Sequence, residues 1–223
     1  MPTDNLHFER LAFSNGYARV AGVDEVGRGP LAGPVVAVAV VLPERAWALP
    51  LADSKTLTER QREELCRELQ SLPGVNVGTG VVSVADIDRL NILRATHLAM
   101  RQAVRALTPL PDFALVDGLP VPDFPVPASF VVKGDALSAT IGAASIVAKV
   151  CRDRMMVELD RQYPGYGFAR HKGYGTAEHL DALERLGPSP IHRRSFAPVR
   201  RLDPQYTGQQ EFAFRQGNDP VSA

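Results

Sequence analysis

Apolar residues in this chain fall mostly into short runs that stop at charged or glycine-bearing turns. Val20-Ala21-Gly22-Val23 is the first run, and it delivers Asp24-Glu25 at its end. Gly27-Arg28-Gly29-Pro30 follows. Pro34 then opens Val35–Leu42, which is too rich in β-branched residues for a helix and reads as a buried strand. The pattern predicts a hairpin of strands Ala18–Asp24 and Val35–Leu42 around a glycine turn, with a helical turn or two in residues 1–16 before it. Thr58 with Gln61 fits a capping box ahead of a polar helix over Glu59–Leu69, which Pro73-Gly74 stops. Val75–Val84 alternates as a third strand. Asn91 caps a helix over Ile92–Leu107, whose Leu93, Met100, Val104 and Leu107 share one side. Phe113–Val116 and Phe130–Val132 are short apolar strands, ending at Asp117-Gly118 and Lys133-Gly134-Asp135. Asp135 or Ser138 caps a long helix over Ala139–Tyr163, and Thr176 caps a last one through Leu186. Strands come first, then helices and strands alternate. That order predicts an α/β fold with a mixed central sheet: an antiparallel hairpin beside parallel strands reached by helical crossovers. A small helical region is expected at the C-terminal end.

Composition narrows the class. The 223 residues suffice for one domain with a sizeable core, and 45% apolar with 22% charged content is that of an ordinary globule. One catalytic unit over residues 1–202 is expected, and the polar, non-periodic stretch 203–223 is expected to be a mobile tail. Within it, Gln210–Phe214 fits a short docking motif, though chance occurrence is the better reading. Formal net charge is zero, so no global basic character advertises a nucleic-acid partner. Basic residues nonetheless cluster at Arg170-His171-Lys172, Arg193-Arg194 and Arg200-Arg201, either as solvated surface or as a phosphate-facing rim. The 2 cysteines, Cys66 and Cys151, are too few for a disulfide framework and indicate a reducing compartment. With no signal peptide and no apolar run near the roughly 20 residues that cross a bilayer, a cytoplasmic protein is expected. Nothing demands more than a monomer.

Four acidic residues stand where the predicted fold can bring them together: Asp24 and Glu25 at one strand end, Asp117 at another, and Asp153 on the long helix. An all-oxygen set suits Mg²⁺ or Mn²⁺ rather than zinc, and a divalent cation relieves the repulsion among packed carboxylates. A two-metal site of that kind fits phosphodiester cleavage. Bland readings compete. Asp117-Gly118 is a common turn pair, and Asp153 can simply pair with Lys149 or Arg154. Asp24-Glu25 interrupts a buried run and is hardest to explain away. Neighbouring strand residues face opposite ways, so these two serve one site only if the backbone bends, which the following glycines permit.

The turn has its own chemistry. Amides around Gly27 and Gly29 can approach a substrate closely, and Arg28 can reach a phosphate. A plain hairpin turn does not usually need the four glycines and two prolines of Gly22–Pro34. Tyr174, between Gly173 and Gly175, can stack on a sugar or base, or can merely pack on the domain. Gly27–Ala32 also fits G-x-G-x-x-A, a dinucleotide fingerprint, but that motif needs a helix next, and a strand follows. A non-catalytic hybrid-binding module is the other alternative. Four acids at a contact surface oppose DNA binding unless metals are held there.

Seven stretches together resemble type 2 ribonuclease H, in its bacterial ribonuclease HII branch. They are GVDEVGRGPLAGPV at 22–35, DSK at 53–55, LVDG at 115–118, VKGD at 132–135, ASIVAKVCRD at 144–153, HKGYGT at 171–176 and HRRSF at 192–196. The resemblance implies a ribonuclease H-like fold and endonucleolytic cleavage of the RNA strand in RNA–DNA hybrids. It also implies cleavage at single ribonucleotides embedded in duplex DNA, leaving 3′-hydroxyl and 5′-phosphate ends, the chemistry of ribonucleotide excision repair. By position it implies that Asp24, Glu25, Asp117 and Asp153 bind metal. Gly27-Arg28-Gly29 would read the 2′-hydroxyl and phosphate, Tyr174 would sense the RNA-to-DNA junction, and Lys55 and Lys133 would touch backbone phosphate. The first motif begins about twenty residues in, leaving no room for the N-terminal domain of ribonuclease HIII. Thr56 after DSK and Leu119 after VDG depart from the expected pattern; a polar residue is expected where Leu119 stands.

Overall fold

A computed structural model describes residues 5–51 and 57–202. The elements are α1 (His7–Ser14), β1 (Val20–Val26), β2 (Val35–Val41), α2 (Glu59–Ser71), β3 (Asn76–Val82), α3 (Val84–Leu90) and α4 (Ile92–Arg105). They continue with β4 (Phe113–Asp117), β5 (Ala128–Val131), α5 (Gly134–Leu137), α6 (Ala139–Gln162), α7 (Phe168–His171), α8 (Ala177–Leu186) and α9 (Ala197–Arg200). One turn of 3-10 helix, Glu44–Ala48, follows β2. The strands make a single mixed sheet in the order β3-β2-β1-β4-β5, with β1–β2 and β2–β3 antiparallel and β1–β4 and β4–β5 parallel. The expected α/β architecture is therefore present, as is the C-terminal helical part.

Alternation along β2 explains the layering. Val35, Ala37, Ala39 and Val41 face a core shared with α4, while Val36, Val38 and Val40 face α6 and α2. A strand buried on both faces reads as a continuous apolar run, as VVAVAVV does. Gly22 marks the closest approach of α6: a Cβ there would lie 2.0 Å from the Thr140 carbonyl carbon. The small residues at the start of α6 match that contact.

Caps follow the sequence signals. Thr58 and Gln61 form the capping box of α2, and the Asn91 side chain accepts from the Arg94 amide at 3.1 Å. Of the two candidates for α6, Ser138 is the cap, accepting from the Ile141 amide at 3.2 Å, and Asp135 is not. The α6 N-terminus is also clasped from afar. Glu9 on α1, fully buried, accepts from Ser138 Oγ at 2.6 Å and from the Thr140 amide at 2.9 Å. A carboxylate there meets both the free amides and the positive end of the helix.

Several details differ from expectation. The third strand stops at Val82 because Ser83 caps the short helix α3 through the Asp86 amide, at 3.2 Å. The fifth strand is Ala128–Val131, shifted toward the N-terminus by its parallel pairing with β4. Arg193, read as part of a basic rim, is fully buried. Lys55, Thr56 and the whole 203–223 stretch with Gln210–Phe214 lie outside the described residues. Among the described residues no helix is long and apolar enough to cross a membrane.

Candidate active site

The chain adds β2 and β3 on one side of β1, then crosses to place β4 and β5 on the other. Ligands of open α/β sheets gather outside the carboxyl ends of strands at such a reversal. Asp24 and Glu25 end β1 and Asp117 ends β4 there. Carboxylate oxygens of these three residues all lie within 4.8 Å of one another. The convergence needs no bend in β1. Its ladder with β2 runs unbroken from Ala21↔Val41 to Val26↔Val36. On the other side its pairing with β4 stops at Val23↔Val116, so the strands part just where the carboxylates begin. Side chains from either face of β1 then reach the same opening.

The neighbourhood is polar and crowded. Asp24 accepts from the Glu25 amide at 2.7 Å and takes a further bond from Ser145 on α6. Asp117 accepts from the Gly134 amide at 2.6 Å, which draws α5 against β4. Burial first, and then the charges of Glu25 and Asp117, hold the Asp24 carboxyl well above the usual carboxylate range. Burial likewise raises Glu25, against the lowering influence of Arg28, whose Nη1 lies 3.3 Å from Glu25 Oε1. A hard divalent cation fits this set: the donors are all oxygens, and neutralising them removes the repulsion that raises Asp24.

These acids line a cavity of about 350 Å³ together with Val26–Gly29, Arg62, Asp135, Ser145, Lys149 and Tyr174. Gly27, Arg28, Gly29 and Tyr174 are thus gathered as expected. A Cβ at Gly29 would lie 3.6 Å from Tyr174 Cε1. Gly27 turns the chain with φ +92°, and a Cβ there would sit 2.2 Å from Arg152 Nε. Two buried arginines grip the turn from behind. Arg193 donates to the carbonyls of Gly27, Arg28, Gly33 and Pro34, and Arg152 to those of Ala32, Pro34 and Lys172. Desolvation depresses these guanidiniums to about 10 for Arg152 and about 9 for Arg193.

The other expected residues stand elsewhere. Asp153 is not in the carboxylate group. It accepts from Lys149 Nζ at 2.7 Å and lines a separate recess with Glu59, Glu63 and Arg154. Two turns of α6 separate it from Ser145, the helix residue that does reach Asp24. Asp135, considered only as a helix cap, lies instead in the cavity and is buried. Its signal was a carboxylate and a glycine just beyond an apolar strand, as at LVDG though in the opposite order. Lys133 is exposed in a left-handed conformation beside α5 and does not line the cavity. Ser145 and Lys149 lie within the ASIVAKVCRD stretch but, like Arg62, were not singled out for the site, because only folding brings α2 and α6 to this end. On the α4 side, Glu25, Arg28 and Asp117 also border a hollow of about 160 Å³ lined by Leu93, His97 and Leu119.

Comparison with known proteins is consistent across sequence and structure. A family model described as Ribonuclease HII matches residues 21–199. Ribonuclease HII of Geobacillus kaustophilus is 55% identical over 197 residues, spanning 88% of this chain and 75% of that protein. The ribonuclease H2 structure from Pyrococcus horikoshii superposes with a TM-score of 0.70 at 29% identity, covering 85% of this chain and 99% of that one. Bst-RNase HIII in complex with Mn²⁺ shares the fold at TM-score 0.67 and 19% identity, covering 86% and 71%.

Proposed function

The chain belongs to the ribonuclease HII family of RNA–DNA hybrid nucleases, and from that premise we propose that it cuts on the 5′ side of ribonucleotides, including one embedded in duplex DNA. The observation that carries the reading is the carboxylate group of Asp24, Glu25 and Asp117, within 4.8 Å, facing a cavity shared with the glycine turn and Tyr174.

In this reading Asp24, Glu25, Asp117 and Asp135 hold Mg²⁺ or Mn²⁺. Two such ions, when bound, supply a water of lowered pKa and neutralise the charge that builds on the leaving 3′-oxygen. The protein's own groups do the rest. Ser145 and the Glu25 amide orient Asp24, and the Gly134 amide orients Asp117. Arg28, half exposed, turns toward a phosphate as its weak pairing with Glu25 is exchanged. Amides of Gly27 and Gly29 approach the ribose, where a 2′-hydroxyl distinguishes RNA from DNA. Tyr174 packs on the neighbouring sugar at the junction. Lys149, steered by Asp153, and Arg62 offer positive charge to the backbone phosphates on the α6 side.

A labelled DNA duplex carrying one ribonucleotide, incubated with Mg²⁺, Mn²⁺ or EDTA, tests this. A single metal-dependent nick 5′ to the ribonucleotide is expected. Cutting of long hybrids without that nick would overturn the account of junction recognition and leave the metal site standing.

A further inference from the structure

Tyr174 is held in place by its backbone: its amide donates to the His171 carbonyl at 2.9 Å, its carbonyl accepts from the Thr176 amide at 2.8 Å, and histidine rings add to this hold. His171 Nδ1 accepts from the Gly173 amide at 3.2 Å, and the Gly173 carbonyl accepts from the Leu31 amide at 2.8 Å. His179 Nδ1 lies 2.8 Å from the Tyr174 carbonyl, and His179 Nε2 lies 3.0 Å from His192 Nε2. His192 Nδ1 in turn meets the Ser189 amide at 2.9 Å and Ser189 Oγ at 2.8 Å. Both imidazoles are buried.

One proton arrangement satisfies every contact. The Ser189 amide can only donate, so His192 Nδ1 accepts and its hydrogen sits on Nε2. His179 Nε2 must then accept, which leaves its Nδ1–H to donate to the Tyr174 carbonyl. The relay therefore runs in one direction, from Ser189 to Tyr174, with both rings neutral. Burial and the neighbouring His179 push the His192 imidazole down to about 3, and burial lowers His179 too. His171, stacked on His179 at 4.5 Å, and the rings of Tyr166 and Phe168 enclose the pair.

We propose that His179 and His192 are positioning residues for Tyr174: their directed hydrogen-bond relay fixes its carbonyl, holds its ring against Gly29, and so sets the preference for a junction ribonucleotide over continuous hybrid. The proposal rests on the reading of Tyr174 as the junction-facing residue. No ring of the relay touches substrate; it acts through the tyrosine backbone.

The test compares His192→Ala, His192→Gln and Tyr174→Ala, each with kcat and KM on the single-ribonucleotide duplex and on a long RNA–DNA hybrid. His192→Ala is expected to lower the preference for the embedded ribonucleotide by about tenfold, the scale of a sub-ångström misplacement. His192→Gln, which restores a donor to His179, should recover most of it. Adding His192→Ala to Tyr174→Ala should change the preference no further. An equal loss in the Tyr174→Ala background would overturn the proposal. A second readout separates it from the junction reading: ring signals of ¹³C-tyrosine protein, with Tyr174 assigned through Tyr174→Phe. If Tyr174→Ala leaves the preference unchanged, the junction reading fails, and these spectra decide the positioning role alone. A Tyr174 signal that moves in His192→Ala and returns in His192→Gln supports it; one that stays put in His192→Ala overturns it.

Discussion

At the ends of β1 and β4, Asp24, Glu25 and Asp117 crowd carboxylate on carboxylate, whereas beneath the adjoining glycine turn Arg152 and Arg193 lie deeper still, with every bond made to a carbonyl. Both places bury charge, which is costly anywhere in a protein interior. The guanidiniums are solvated by the chain itself: Arg193 alone reaches the carbonyls of Gly27, Arg28, Gly33 and Pro34. The carboxylates have a few amide and hydroxyl donors, the Arg28 guanidinium beside Glu25, and then one another, so burial and repulsion hold the Asp24 carboxyl well above its usual range. One region is electrostatically finished by the fold. The other keeps a repulsion among Asp24, Glu25 and Asp117 that a divalent cation would relieve, and the proposed function rests on that difference.

Removing a charge from each region should give stability effects of opposite sign. Asp24→Asn is expected to cut cleavage of the single-ribonucleotide duplex by about 10³-fold, some 4 kcal/mol at 1.36 kcal/mol per tenfold. It should also raise the thermal midpoint of the metal-free protein at pH 7. The sign follows from linkage: a carboxyl whose folded pKa is raised binds more protons folded than unfolded, so stability falls as pH climbs from the usual value of 3.8 through the raised one. Added Mg²⁺ should stabilise the wild type at pH 7 and Asp24→Asn less. A lower midpoint for metal-free Asp24→Asn would dissolve the contrast. Arg193→Ala, read by urea unfolding, should cost about 3–5 kcal/mol, since it strips a charged donor from several buried carbonyls. The smallest effect belongs to Arg28, which sits between the two regions with about half its side chain in water. Arg28→Ala should leave stability within about 1 kcal/mol and lower the discrimination between ribo- and deoxyribonucleotides several-fold. Unchanged discrimination would move that role to the Gly27 and Gly29 amides.

Much of the frame was legible because local chemistry and tertiary fate agree. The Thr58–Gln61 box, the Asn91 cap and the VVAVAVV strand announce themselves in a few residues. Asp24, Glu25 and Asp117 were legible for the same reason: each ends an apolar run, and strand ends at a switch point converge. Asp153 misled because its charge stands out on a helix, whereas the helix turns it to Lys149 and away from the cavity. Asp135 hid behind its second identity as a plausible cap. Arg193 was unreadable locally. A basic residue in HRRSF looks solvated until a turn some 160 residues earlier in the chain is seen to wrap it in carbonyls.

That last contact joins Gly27 to Arg193 across 166 positions, and Arg152 closes on Pro34 across 118. During synthesis the first hairpin with Asp24 and Glu25 leaves the ribosome early, but the turn beside them gains its first arginine only with Arg152 and its second with Arg193. Closing so long a loop is also entropically slow. The nuclease thus has a built-in order of assembly: Asp24 and Glu25 are made near the start, Asp117 midway, and the Arg193 half of the clasp on the adjoining turn last. An unfinished chain therefore carries Asp24 and Glu25 beside a turn that Arg193 does not yet hold.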